Sequence, residues 1–299
     1  MGGDNSIPHA RLTGTYAIGE RYPAAMINVT NRCNLQCEHC FIYRDGNPNL
    51  APERVRDEIS EEVVLDTLVK LRDKYGIAQM LWMGGEPLLR RSLVARGIPL
   101  FARNTITTNG TVALTDFGPE VLYVVSLDGP RELNDVVRGA GVFDRVKRNL
   151  ARIPADFESK VQVQCVVTRR NQDHLEPLVR ELRETRVGWM TFSFYSPPAN
   201  DTTGLGWSSL EDRMHAVQEV TRLKDAFPGF VRNRVRSLEL MSPDRAPDVT
   251  GNCPAKRFVL PLYLEDDSFV TPFCCYGNDV DCDACGAWVV FDLAALEER

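Results

Sequence analysis

AAMINVTNRCNLQCEHCFIY, residues 24–43, joins an apolar, β-rich run to three cysteines spaced C-x₃-C-x₂-C. The run 24–30 is continuous rather than alternating, the pattern of a strand buried on both faces of a parallel sheet. Five further runs read alike: 77–83 (IAQMLWM), 104–108 (NTITT), 121–127 (VLYVVSL), 160–168 (KVQVQCVVT) and 188–195 (GWMTFSFY). Apolar residues at helical spacing fill intervals at 58–75, 142–152 and 174–186, and Ser60 is a cap candidate for the first. A short helix is expected after Pro87. Repeated strand–helix units give a parallel sheet with right-handed crossovers. Six such units rather than eight predict an α/β fold, an open, partial (β/α)6 barrel of TIM-like kind. Its chemistry then lies at the carboxyl ends of the strands.

Beyond 196 the pattern changes. SPPANDTTGLG (196–206) is a loop of turn residues, and 208–226 and 231–241 read as helices. From 251 onward the chain is short of helical pattern and dense in cysteine, with 289–299 as a closing strand or helix. The expected organisation is an N-terminal leader or arm at 1–22, the barrel at 23–245 and a small cysteine-rich module at 246–299.

The 299 residues carry a net charge of −6, which argues against nucleic acid as a partner, since phosphates demand basic patches. No apolar run approaches the roughly 20 residues that span a bilayer, and the first 25 residues hold no stretch of signal-peptide length. The expectation is a cytoplasmic protein without a membrane partner. Nine cysteines in such a chain point to metal rather than disulfides. Three lie at 33, 37 and 40 and five at 253, 274, 275, 282 and 285, while Cys165 stands alone on a strand and reads as core.

Cys33, Cys37 and Cys40 sit on a loop after a strand, and three close thiolates suit three irons of a cubane with the fourth iron left for a ligand. A zinc site usually takes four ligands, commonly as C-x₂-C pairs. The motif resembles the signature of the radical S-adenosylmethionine (radical SAM) superfamily. Three further strand ends carry the resemblance: Met83-Gly84-Gly85-Glu86-Pro87 is similar to that family's GGEP motif, Thr107-Thr108-Asn109-Gly110 to its TNG motif, and Ser126-Leu127-Asp128-Gly129 to its SLDG motif. The resemblance covers about residues 24–195 and implies reductive cleavage of S-adenosylmethionine to methionine and a 5′-deoxyadenosyl radical, fed by an electron donor such as flavodoxin or ferredoxin. It places a [4Fe–4S] cluster on Cys33, Cys37 and Cys40, His39 against the adenine, and Gly84, Gly85, Glu86 and Pro87 around the methionine amino group. Thr108 and Asn109 join the cofactor-binding set, Ser126 and Asp128 face ribose or substrate, and Arg138 resembles the arginine that pairs with the carboxylate.

The second cysteine set resembles a shortened auxiliary-cluster module, of the twitch or SPASM type, and implies a second [4Fe–4S] cluster. Cys282 and Cys285 form a C-x₂-C pair, Cys253 supplies a third ligand, and one of Cys274 and Cys275 supplies the fourth, because neighbouring side chains in extended backbone point opposite ways. Zinc on Cys253, Cys275, Cys282 and Cys285 is the alternative. One thiol is left over. An S–H bond is weaker than most C–H bonds, so a spare cysteine can deliver hydrogen to a carbon radical. Cys274 is read as the donor and Cys275 as the ligand, with the reverse assignment open.

These features resemble the radical SAM epimerases of aminoglycoside biosynthesis, which makes the expected activity inversion of one carbon of a cationic sugar. Glu265, Asp266, Asp267, Asp279, Asp281 and Asp283 could grip its ammonium groups or form a solvated face. The competing expectations are a radical dehydrogenase of an amino-sugar or cyclitol alcohol and a SPASM-type peptide-modifying enzyme. Residues 1–22 look too short for the peptide-recognition module that the latter usually brings.

Overall fold

The structure, a computed structural model, describes residues 7–12, 19–44, 47 and 58–298. The described strands are β1 (Ala10–Arg11), β2 (Ala24–Asn28), β3 (Gln79–Met83), β4 (Arg103–Thr108), β5 (Val121–Ser126), β6 (Lys160–Val167), β7 (Trp189–Phe194), β8 (Val259–Glu265) and β9 (Ser268–Val270). The helices are α1 (Glu61–Tyr75), α2 (Arg91–Gly97), α3 (Arg131–Arg138), α4 (Val142–Ala151), α5 (Leu175–Arg183), α6 (Leu210–Ala226), α7 (Val235–Glu239), α8 (Ala246–Gly251), α9 (Ala255–Phe258) and α10 (Trp288–Glu297). They form two compact units, one drawn from residues up to Asn34, Phe41–Thr107 and Lys256–Asp279, the other from Leu35–Cys40, Thr108–Ala255 and Val280–Arg299.

In the first unit β2 runs parallel between β3 and β8, and β4 continues in parallel beyond β3. Helix α1 returns the chain from β2 to β3. Ser60 caps it as expected, its Oγ accepting the Val63 N–H at 3.3 Å. Gly76 ends it in the left-handed conformation at φ 69°, which glycine adopts without a Cβ clash. Val64, Leu68, Leu71 and Tyr75 form its buried stripe. The N-terminal arm is docked where it is described, β1 pairing in parallel with β9; residues 1–6 and 13–18 of the expected leader lie outside the described residues.

β8 is a parallel strand that the sequence reading did not anticipate. Pro261 stands in register with Met26 in the middle of it, and proline within a run demotes a strand assignment because it cannot donate to the ladder. Burial overrides that cost: Val259 through Leu264 are all buried. A short antiparallel return through β9 follows.

In the second unit β5, β6 and β7 run parallel in that order, each pair joined through helices. α4 buries Val142, Phe143, Val146 and Leu150, and α5 buries Leu175, Leu178, Val179 and Leu182, the face that each needs against a sheet. β2 to β7 fall on the six expected runs, and the closing segment is helical, as α10. Among the described residues no helix is long and apolar enough to cross a membrane.

Candidate functional site

β5 ends at Ser126, and the turn beyond it buries Asp128 to 1 % exposure in the second unit. Arg138 Nε, at the end of α3, donates to Asp128 Oδ2 at 2.6 Å. His39 Nε2 meets the same oxygen at 2.7 Å, and the Val166 N–H donates to Oδ1 at 2.9 Å. The turn itself is held by the Asn134 side-chain oxygen, which accepts the Asp128 N–H at 3.1 Å, and by the Asn171 amide, which donates to the Asp128 carbonyl at 2.7 Å. Burial alone would favour the neutral acid. The Arg138 guanidinium and His39 outweigh it and hold the Asp128 carboxyl well below the usual carboxylate range. Burial likewise opposes the charge on Arg138, and the Asp128 carboxylate more than restores it.

This centre grips the cysteine loop. Arg138 Nη1 lies 3.9 Å from Cys37 Sγ, the Val137 carbonyl accepts the Glu38 N–H at 3.0 Å, and Arg170 pairs with the Glu38 carboxylate. The Cys40 N–H donates to the Cys37 carbonyl at 3.1 Å, which curls the C-x₂-C segment. His39 and Asp128, expected to face adenine and ribose, are thus bonded to each other. Thr108 is buried with its Oγ1 accepting the Gly110 N–H at 3.1 Å, Asn109 Oδ1 takes the Thr111 N–H at 2.9 Å, and Ser126 is half-buried.

In the first unit the Gly84-Gly85-Glu86-Pro87 turn follows β3. Gly84 has φ 146°, and a Cβ there would come within 2.7 Å of the Thr30 carbonyl. A Cβ on Gly85 would collide with the Arg32 carbonyl and the Tyr43 hydroxyl. Backbone bonds close the approach, Gly85 N–H to the Thr30 carbonyl at 2.9 Å and Glu86 N–H to the Arg32 carbonyl at 2.8 Å. The glycines therefore admit the chain that leads into Cys33. Glu86 is fully buried, and its Oε1 accepts the Leu88 N–H at 3.0 Å to cap the turn Pro87–Arg90. Gly85→Ala is expected to destabilise the fold by about 1–3 kcal/mol through this overpacking, measured by denaturant unfolding. A loss below a few tenths would show that the loop yields.

Cys253, Cys282 and Cys285 belong to the second unit. Cys285 is buried, which pushes its thiol up, and Cys253 and Cys282 lie near enough to push it further. Its N–H closes a turn onto the Cys282 carbonyl at 3.2 Å. Cys274 and Cys275 belong to the first unit, on a turn closed by two Cys274–Gly277 backbone bonds of 3.1 and 3.0 Å. Cys275 is 8 % exposed and Cys274 half-buried, on a turn rather than the extended backbone expected. Cys165 on β6 is fully buried, as expected of core. No cysteine is disulfide-bonded. Among the described residues no three His, Cys, Asp or Glu side chains converge closely enough to chelate a single metal ion. Thiolates on a four-iron cube stand further apart than those on one zinc, whose Zn–S bonds are about 2.3 Å.

A cavity of about 550 Å³ in the second unit has Tyr195 and Trp207 in its walls, with Arg213, Asp281 and Asp283 around it. Of the other acidic residues named above, Glu265 pairs with Arg11.

The family model of the Radical SAM superfamily matches residues 27–182, more than half of the chain. The chain belongs to the radical SAM superfamily. A probable GTP 3′,8-cyclase of Methanocella arvoryzae is 33 % identical over 178 residues, 56 % of this chain and 55 % of that protein. The Fe-coproporphyrin III synthase of Methanosarcina barkeri is 28 % identical over 186 residues, 58 % of this chain and 44 % of that protein. The chain thus spans about half the length of these curated relatives. The structure of Streptococcus suis SuiB bound to S-adenosylmethionine superposes with a TM-score of 0.63 at 18 % identity, covering 83 % of this chain and 60 % of that one, and it shows the shared fold.

Membership of the radical SAM superfamily implies S-adenosylmethionine and a [4Fe–4S] cluster. The residues present fit such a group. Cys37 offers a thiolate with a guanidinium beside it. Asn28, at the end of β2 where the chain turns toward Cys33, is fully buried with neither side-chain amide atom partnered among the described residues, a demand that a bound ligand can meet. The sequence reading missed Asn134, Asn171 and Arg213. Arg213 carried a signal: it shares one face of α6 with Ala216, Val217 and Val220, where a charge breaks an apolar stripe.

Proposed function

We propose that this chain is a radical SAM epimerase that inverts one carbon of an aminoglycoside, a reaction of the neomycin C epimerase type, with Cys274 as the hydrogen donor. The observation that carries the reading is the unequal exposure of adjacent thiols, Cys275 buried and Cys274 half-buried, which suits one as ligand and the other as donor. The Tyr276 N–H donates to Cys274 Sγ at 3.2 Å. That bond uses a sulfur lone pair and orients the side chain without consuming its S–H hydrogen.

When bound, the cosubstrate and its cluster would supply the radical chemistry needed to take hydrogen from one face of the sugar carbon. Cys33, Cys37 and Cys40 would hold the cluster, with Arg138 compensating thiolate charge at Cys37. Cys274 would deliver hydrogen to the opposite face, its S–H bond breaking as the new C–H bond forms. Returning Cys274 from thiyl radical to thiol takes one proton and one electron, and a second cluster, were Cys253, Cys282 and Cys285 among its ligands, would supply electron-transfer chemistry of that kind. Asp281 and Asp283, with Tyr195 and Trp207 in the walls, suit an ammonium-bearing sugar on the side of the cavity away from Arg213, the cation that also lines it. A small electron-transfer protein of the flavodoxin or ferredoxin kind would start the cycle.

Turnover of a candidate aminoglycoside in D₂O should give inverted product carrying one deuterium at the inverted carbon, because a thiol exchanges with solvent. Cys274→Ala should still consume S-adenosylmethionine but give no inverted product. Product lighter by two hydrogens, with Cys274→Ala fully active, would instead indicate a dehydrogenase and sink the epimerase.

A further inference from the structure

Arg213 is a buried cation without a carboxylate. It rises from the first turn of α6 and is 1 % exposed. Nη1 donates to the Cys285 carbonyl at 2.7 Å and Nη2 to the Met241 carbonyl at 3.1 Å, while Nε has no hydrogen-bond partner. Below it lies the Phe291 ring, 5.9 Å from the guanidinium carbon. Among the described residues no carboxylate comes within ion-pairing distance of it. A buried charge is costly to hold unless something of opposite sign answers it, and two carbonyl contacts do not neutralise a guanidinium. Asp281 and Asp283 border the same cavity without pairing with it, and the neighbour whose backbone it holds is Cys285, a thiolate only when it ligates metal. Arg213 holds the Cys285 carbonyl at 2.7 Å, and the Cys285 N–H closes onto the Cys282 carbonyl at 3.2 Å, which sets the guanidinium against the C-x₂-C turn.

We propose that Arg213 is the counter-charge of an anionic iron–sulfur centre on Cys253, Cys282 and Cys285, stabilising that centre and setting its reduction potential. The inference rests on the reading that these cysteines bind a second cluster. A cluster with thiolate ligands carries net negative charge, and one more electron makes it more negative. A fixed cation at its edge therefore favours both assembly and reduction. Arg213 is a positioning and electrostatic residue here, since it touches the Cys285 backbone rather than any reacting atom.

The test compares the reconstituted wild-type protein with Arg213→Met and Arg213→Lys. Iron and sulfide content is measured for each, and the midpoint potential of each cluster is followed by EPR-monitored redox titration. Arg213→Met should either lose the iron of the second cluster alone or keep it at a more negative potential. The first cluster should be unchanged. Arg213→Lys keeps the charge but gives up at least one carbonyl contact, and it should keep the second cluster near its wild-type potential. It also carries the test if Arg213→Met does not fold. A second cluster whose content and potential are unmoved in Arg213→Met, or that shifts in Arg213→Lys as far as in Arg213→Met, overturns the counter-charge role while leaving two clusters standing. Wild-type protein with iron for one cluster only overturns the second-cluster reading itself, and this proposal with it.

Discussion

Cys37→Ala protein, reconstituted anaerobically, is expected to form no measurable 5′-deoxyadenosine when it is reduced with S-adenosylmethionine, under conditions where the parent chain does. The cause is local. Cys37 is half-buried on a loop, and its side chain enters none of the apolar cores, so its loss should change the stability of the metal-free chain by less than about 1 kcal/mol. What it removes is one of three thiolates proposed to hold the cluster, and a cluster with only two protein ligands is poorly retained. Iron bound at the first site should fall with the activity, while thermal unfolding of the metal-free protein stays near that of the parent. Deoxyadenosine formation at the parent rate would remove Cys37 from the ligand set. Cys165→Ala offers the contrast, because Cys165 is fully buried on β6: it should cost stability through its small cavity and leave cluster assembly intact.

Much of the scaffold was legible because burial on both faces of a strand leaves a compositional mark. The runs at 121–127 and 160–168 were read as strands and became β5 and β6. β8 was not legible for the same physical reason in reverse: Pro261 interrupts the signal, and only the burial supplied by tertiary structure makes VLPLYLE a strand. The strand-end motifs identified the family correctly, but sequence could not say what their side chains touch. Beside the ligand contacts expected of them, Glu86 also caps a turn and Gly85 also lets the Arg32 carbonyl approach, duties that the motif does not announce. Such short-range duties depend on how closely two backbone segments approach, which no motif encodes. Asn171 was invisible for another reason. It lies 43 residues beyond Asp128 in the chain and reaches the Asp128 carbonyl only because β6 lies beside β5.

Asp128→Asn should be the most damaging single change at the buried centre, costing about 3–5 kcal/mol, since removing one partner of a buried ion pair leaves the other charge uncompensated. Arg138 would keep its burial, lose its anion and retain only an amide oxygen to bond. The sign of the pH effect follows from the direction of the shift. The folded-state carboxyl of Asp128 titrates well below an unfolded aspartate, so the native state holds the ionised form more tightly. The stabilisation is therefore complete at neutral pH and is lost as pH falls below the ordinary carboxylate range. Wild-type protein should show that acid-side loss, and Asp128→Asn should show less of it, measured as the midpoint of denaturant unfolding against pH. The pair can also be removed whole. Asp128→Leu combined with Arg138→Met deletes both charges, and the double variant should be more stable than Asp128→Asn alone, although His39 and the Val166 N–H still lose an acceptor. A double variant no more stable than Asp128→Asn would reject the ion-pair account and leave the two acceptor bonds as the greater contribution of this carboxylate.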